Sequence, residues 1–175
     1  MHHICYNNLT VFFFLFVDFN FTKEKNDKEI NNDNSQKNPN KNKNKLLLNK
    51  LINAKCDEGN TPLMYAVFRG NLKILKKLLE FQVNIYDVNM NGDSLMHICI
   101  KSDQVNVLVY LKEKLKLSVN STDKKGSTPL HHACFLGSEY CINVLLKWID
   151  DVNNKNDEGN TPLHFLVFSG KYMFF

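Results

Sequence analysis

The chain has 175 residues and a formal charge of +4, a length that supports one domain with a real core. Residues 1–52 carry eight Lys against five Asp or Glu, whereas residues 53–175 carry fourteen Lys or Arg against thirteen Asp or Glu. The longer part is close to neutral and has no basic stripe for neutralising phosphates, which argues against a nucleic-acid partner.

The chain opens on an apolar run, LTVFFFLFVDFNF at residues 9–21. Its 13 residues include Asp18 and are too few to span a bilayer. No Lys or Arg precedes it and no small-x-small cleavage site follows, so it does not read as a signal peptide. Residues 1–21 are an apolar leader without an assigned role. The Phe, Asn and Lys bias of residues 1–50 is also what translated AT-rich non-coding DNA would give. Residues 22–45 (TKEKNDKEINNDNSQKNPNKNKNK) are nearly all Asn, Lys, Asp and Glu. So little apolar surface cannot offset the entropy of ordering, and the segment is expected to be a disordered tether. LLLNKLI at 46–52 reads as the end of a helix from an earlier, degenerate unit.

A repeat then begins: GNTPLMYA at 59–66, GDSLMHIC at 92–99, GSTPLHHA at 126–133 and GNTPLHFL at 159–166. The leading glycines Gly59, Gly92, Gly126 and Gly159 are 33, 34 and 33 residues apart. The lines resemble the ankyrin repeat, whose signature is T-P-L-H-x-A at this period, over residues 46–175. The residues make physical sense in the same way. Thr61, Ser94, Thr128 and Thr161 can cap a helix, and Pro62, Pro129 and Pro162 suit its first turn. Leu63, Met96, Leu130 and Leu163 begin the buried face, and Ala66, Cys99 and Ala133 keep it narrow. Gly70, Gly137 and Gly170 end that helix at positive φ. Second helices follow at helical spacing: Leu72, Ile74, Leu75, Leu78 and Leu79; Val105, Val107, Leu108 and Leu111; Tyr140, Ile142, Val144, Leu145 and Leu146. Segments rich in Asn and Asp turn back as hairpins. The expected fold is all-α, an ankyrin solenoid of about four repeats with the last one incomplete and a polar cap absent.

The second repeat departs from the pattern. Leu95 stands at the proline position and Asp103 at the turn glycine, where a non-glycine residue at positive φ costs about 1 kcal/mol. It is expected to be the weakest part of the stack. Leu166 replaces the small residue in the fourth repeat.

No catalytic or cofactor-binding pattern appears, and no cofactor is expected. The five Cys include no CxxC pair and no zinc spacing; Cys99 and Cys134 fall at core positions as free thiols, which fits a reducing compartment and a cytoplasmic location. His131, His132 and Cys134 are adjacent on one helix and do not converge on a metal ion. The resemblance implies that His97, His131 and His164 make structural hydrogen bonds between neighbouring hairpins.

A protein partner is the expected ligand, held on the concave face and on the hairpin tips. The inner-face positions before the turn are Phe68 and Arg69, Lys101 and Ser102, Phe135 and Leu136, Phe168 and Ser169. An exposed aromatic row of this kind is a typical protein-binding feature. The tips are Asp57, Glu58 and Asn60; Met90, Asn91 and Asp93; Lys124, Lys125 and Ser127; Asp157, Glu158 and Asn160. They run acidic, polar, basic, acidic and favour a partner of mixed charge.

The runs LMHICIKSDQVNVLVYL, VNSTDKKGSTPLHHACFLG and VNNKNDEGNTPLHFLVFSGK also resemble the ankyrin region of membrane-bound DHHC protein S-acyltransferases. That resemblance implies a substrate-recruiting segment on the cytosolic side, ahead of transmembrane helices and a zinc-binding catalytic domain. Phe165 matches the aromatic that often follows the P-L-H unit there; His132 and Ile98 do not. The chain itself has no Asp-His-His-Cys motif and no 18-residue apolar span. A third reading is a fragment from an incomplete gene model.

Overall fold

A computed structural model describes residues 39–171, and all structural statements concern these. The leader at 1–21, the tether residues 22–38 and Phe174 and Phe175 lie outside them. Residues 39–45, assigned to the tether from composition, instead form the first turns of helix α1 (Pro39–Ile52). A proline in its first turn suits a helix start. The helix also takes in the apolar run at 46–52, and its last residue, Ile52, is buried.

Seven further helices make a stack of pairs: α2 (Pro62–Phe68) with α3 (Leu72–Leu79), α4 (Leu95–Lys101) with α5 (Val105–Glu113), α6 (Pro129–Leu136) with α7 (Glu139–Leu145), and α8 (Pro162–Ser169). Among the described residues there is no strand. The first helices pack in sequence, α2 on α4, α4 on α6, and α6 on α8. Their buried side chains supply half of the apolar core, among them Leu63 and Val67, Met96 and Ile100, Leu130 and Cys134. Ala66, Cys99 and Ala133, one at the same place in each of the first three repeats, are buried. The second helices add Leu75, Leu78, Val107, Leu108, Leu111, Cys141, Ile142 and Leu145.

Two expectations about the core need correction. Tyr140 and Leu146 are exposed, and Cys141 takes the buried place beside Ile142, because the helical phase of α7 turns position 141 toward the stack. Leu163 is also exposed, since no described element covers that side of α8.

Each hairpin is closed by two main-chain bonds: Cys56 N–H to the Asn60 carbonyl, Asn89 to Asp93, Asp123 to Ser127, and Asn156 to Asn160, at 2.9–3.2 Å, and the glycine N–H of Gly59, Gly92, Gly126 and Gly159 back to the carbonyl of the same first residue at 2.8–3.1 Å. Inside each of the last three turns the first residue's side chain gathers two backbone N–H groups. Asn89 Oδ1 accepts from Asn91 and Asp93 at 2.9 Å, Asp123 Oδ1 from Lys125 and Ser127 at 2.8 and 2.9 Å, and Asn156 Oδ1 from Glu158 and Asn160 at 3.1 and 2.9 Å. Neighbouring hairpins are joined tip to tip: Met90 N–H donates to the Glu58 carbonyl, Lys124 to Asn91, and Asp157 to Lys125, at 2.9–3.0 Å.

Candidate protein-binding surface

In the second and third repeats the residue three places into the first helix links the stack. His97 Nδ1 receives the backbone N–H of Ser94 at 3.2 Å. An N–H can only donate, so the ring proton sits on Nε2, which donates to the Ser127 carbonyl of the next repeat at 3.0 Å. His131 does the same between Thr128 N–H (3.1 Å) and the Asn160 carbonyl (3.0 Å). The expected structural bonds between hairpins are present for these two. His164 Nδ1 meets Thr161 at 3.2 Å, but its Nε2 has no acceptor among the described residues. In the first repeat Met64 fills the position, and its sulfur receives only the Thr61 N–H, at 3.5 Å.

The aromatic row lies on the surface: Phe68 is 47% exposed, Phe135 43% and Phe168 83%. Phe135 is also partly anchored, its ring edge-on to Phe165 of the next repeat at 6.2 Å. Phe165 in turn stands edge-on to His131 at 5.4 Å. Contact with a neighbour and exposure to solvent thus coexist at Phe135. Beside the row, Arg69 is exposed while Ser102, Leu136 and Ser169 are half-buried. Ser102 Oγ donates back to the Ile98 carbonyl at 3.0 Å and Ser169 Oγ to Leu166 at 2.8 Å, so both hydroxyls are engaged within their own helices.

At the tips Asp57, Glu58, Met90, Asn91, Lys124, Lys125, Asp157 and Glu158 are exposed, and Asn60 and Asn160 are half-buried. Two tip assignments fail. Ser127 is buried, its carbonyl held by His97. Asp93 is 2% exposed and belongs to an internal ion pair: Lys101 Nζ meets its Oδ1 at 2.6 Å, and Asn89 Nδ2 donates to its other oxygen at 3.1 Å. A buried carboxylate needs such partners, and here they withdraw Asp93 from any outside ligand. Lys101 keeps its place in the row, half-buried and with its charge directed inward.

Next to this pair, His132 Nε2 lies 2.8 Å from Asp123 Oδ2, and the His132 ring meets His97 edge-on at 5.5 Å. Burial pushes the His132 imidazole below its ordinary value, and the Lys101 ammonium adds to this, while Asp123 opposes both. Partial burial works to raise the Asp123 carboxyl, but bonds from His132, Lys125 and Ser127 outweigh it and hold the group low. Asp93, Asp123 and His132 bring one ligand atom each within 4.8 Å. The Lys101 ammonium pairs with Asp93, while Asp123 is held by the His132 ring and the N–H groups of Lys125 and Ser127, so both carboxylates already have protein partners. Composition gives no sign of this arrangement. The available signal is Lys101 itself, a cation where the other repeats carry Phe, eight residues after Asp93.

Cys56 carries no pattern in the sequence that marks it out. It occupies the turn position held by Asn89, Asp123 and Asn156, and it is exposed. Slight desolvation raises its thiol, but the Tyr65 hydroxyl and the Glu58 and Asn60 N–H groups pull it below the usual range. Cys99, Cys134 and Cys141 are buried and unpaired; burial pushes Cys134 and Cys141 up to about 11 and Cys99 further. The expectation of buried free thiols holds for Cys99 and Cys134. No described helix is long and apolar enough to cross a membrane.

A family model described as ankyrin repeats (3 copies) matches residues 1–123 and 112–174. Among similar proteins are the leucine-rich repeat serine/threonine-protein kinase 1 of Caenorhabditis elegans, 33% identical over 56% of this chain and 4% of its own length; the SMC5-SMC6 complex localization factor protein 1 of Bos taurus, 30% identical over 42% and 7%; and an ankyrin repeat protein of Acanthamoeba polyphaga mimivirus, 29% identical over 51% and 12%. The matched stretches therefore span only 4–12% of the length of these relatives.

Proposed function

The chain belongs to the ankyrin repeat family, and from that premise we propose that it binds a protein partner on the concave face of the stack, with the hairpin tips contributing. Ankyrin repeats are protein–protein interaction modules. The observation that carries the finer reading is the row of Phe68, Phe135 and Phe168, which stays open to solvent at one repeat position while the Leu face beneath Phe68 and Phe135 is buried. In a solenoid, equal positions form a ladder down one side. Large aromatics there bury much area on contact and typically contribute about 2 kcal/mol or more each. Arg69 and the tips Asp57, Glu58, Met90, Lys124, Lys125, Asp157 and Glu158 form the polar margin; Lys101 contributes its methylenes, because Asp93 holds its charge. Ser102, Leu136 and Ser169 fill the space between anchors.

Phe168→Ala is the cleanest test, since that side chain has the least burial to lose. The variant should keep its melting temperature while capture of partners from a cell extract, scored against wild type, falls at least tenfold. Phe68→Ala should behave alike. Undiminished capture by the double variant refutes the reading. The substrate-recruiting role in an S-acyltransferase rests on the resemblance of the quoted runs, and a DHHC motif in the same open reading frame would establish it.

A further inference from the structure

The second hairpin differs from the other three at its surface. Tyr86, Val88 and Met90 are 74%, 46% and 62% exposed. Between them Asp87 is half-buried and paired with Lys55 Nζ at 3.0 Å, and Asn89 is buried. Burial alternates as it does along an extended segment, so the three apolar side chains share one flank. At the same places the first hairpin carries Asn53, Lys55 and Asp57, the third Asn120, Thr122 and Lys124, and the fourth Asn153, Lys155 and Asp157. Those hairpins are polar throughout this flank. Left open to solvent, Tyr86, Val88 and Met90 add little to the core, and an exposed apolar cluster rimmed by polar groups marks an interaction site.

The charges around the stripe define what it fits. Main-chain bonds join the tips in order, Met90 N–H to the Glu58 carbonyl, Lys124 to Asn91, and Asp157 to Lys125. Met90 therefore stands between the Asp57–Glu58 tip and the Lys124–Lys125 tip, with Asp157 and Glu158 beyond. The edge reads acidic, apolar, basic, acidic. Packed helices lie about 8–10 Å apart, and tips bonded one to the next follow the same pitch. An extended chain advances about 3.3 Å per residue, so about three of its residues cover one repeat.

We propose that the hairpin edge binds an extended segment of another protein that presents a cation, an aliphatic side chain, a carboxylate and a second cation, each about three residues from the last. The aliphatic side chain lies on Tyr86, Val88 and Met90. The charges meet Asp57–Glu58, Lys124–Lys125 and Asp157–Glu158. Opposite charges in this order attract, whereas a segment with its signs reversed meets like charge at each of these tips. The site is built on the hairpins and uses none of the aromatic row, so loss of one leaves the other intact.

Two synthetic probes, K-S-S-L-S-S-E-S-S-K and its reverse K-S-S-E-S-S-L-S-S-K, cover the two directions in which such a segment can run. Titrated into the isotope-labelled full chain, one of them should shift amide signals saturably at millimolar concentration or below, the shifts clustering at 86–91 and 124–125. Replacing the probe's leucine by serine should weaken binding at least about tenfold, the scale of a lost leucine contact, and so should exchanging every K and E. The triple variant Tyr86→Asn, Val88→Lys, Met90→Asp gives the second hairpin the residues of the first and leaves the net charge unchanged. Its altered side chains are exposed, so it should melt with wild type, yet it should bind the probe at least about tenfold more weakly. Phe168→Ala should leave probe binding unchanged. No saturation by either probe at millimolar concentration, shifts clustered elsewhere, or binding indifferent to the triple variant overturns the proposal. So does sedimentation in which the chain alone self-associates and the triple variant does not, because a second copy would then cover the stripe.

Discussion

The second and third repeats solve the same packing problem with different residues. The third has Pro129 opening its first helix, Phe135 on the row and Gly137 at the turn; the second has Leu95, Lys101 and Asp103. Judged by sequence alone, the second repeat is the defective one, yet each of its departures has a partner in the structure. Leu95 is buried, as Pro129 is at the same place in the third repeat. Lys101 neutralises buried Asp93. Asp103 does adopt positive φ, 54°, as Gly137 does at 66°, but its carboxylate accepts from Ser138 Oγ and, at 3.4 Å, from Cys141 Sγ. Both donors lie at the start of α7, in the next repeat. The backbone strain at Asp103 is thus tied to a bond across the junction. A repeat that departs from its pattern is not weaker for that reason alone.

The largest expected effect tests whether the two repeats share one core. Leu130→Ala and Met96→Ala remove equivalent buried side chains, and each should cost about 2–5 kcal/mol, read from urea midpoints. A loss under about 1 kcal/mol for Met96 alone would show that the second repeat is loosely held after all. Acid gives the next effect. Burial pushes the His97 imidazole from 6.5 down to about 4. The unfolded chain therefore takes up a proton below pH 6.5 that the fold refuses until about 4. Stability is fully present above the unfolded value and falls as pH drops toward the folded one, by on the order of 3 kcal/mol from this group. His97→Asn should flatten that part of the stability profile relative to wild type; an unchanged slope would remove His97 as its source.

The smallest effect sharpens the comparison most. Gly137→Ala forces a Cβ into positive φ and to within 2.7 Å of Lys171 Cβ, and should cost about 1–2 kcal/mol. Asp103→Gly relieves the same strain but leaves the buried Ser138 hydroxyl without its acceptor, a loss of about 1–3 kcal/mol, so the net change should still be destabilising. Thermal melts of both decide it: a stabilised Asp103→Gly would mean that the bonds to Ser138 and Cys141 contribute nothing.

The repeat, its period and its helix starts are legible in the sequence because T-P-L-H at fixed spacing reports local structure: cap, first turn, buried Leu. The turn glycines Gly70, Gly137 and Gly170 are legible for the same reason, and all three have the positive φ that a helix end at that place requires. The Asp93–Lys101 pair and the Asp123–His132 contact are not. Asp93 and Asp123 stand near a hairpin turn, where an acidic residue reads as solvated, and only the stacking of α4 on α6 brings the four side chains together. Tyr140 and Leu146 mislead because an apolar residue near a second helix reads as core whichever way its helix is rotated. Leu163 shows the other limit: its chemistry is that of Leu63 and Leu130, and its burial depends on a neighbour rather than on itself.

The tip-to-tip bonds give the stack two unlike edges. Along the hairpins, main-chain bonds of 2.9–3.0 Å join one repeat to the next, and such bonds weaken steeply when stretched or tilted. Along the helices the repeats meet mainly through many weak dispersion contacts that tolerate small slips, with the Asp103–Ser138 bond joining one junction. A bending load should therefore leave the hairpin edge at nearly constant length and be taken up where helix slides on helix. The spacing between Phe68 and Phe135 is then the adjustable dimension of the molecule, like the free edge of a bound book whose spine holds its pages at a set pitch.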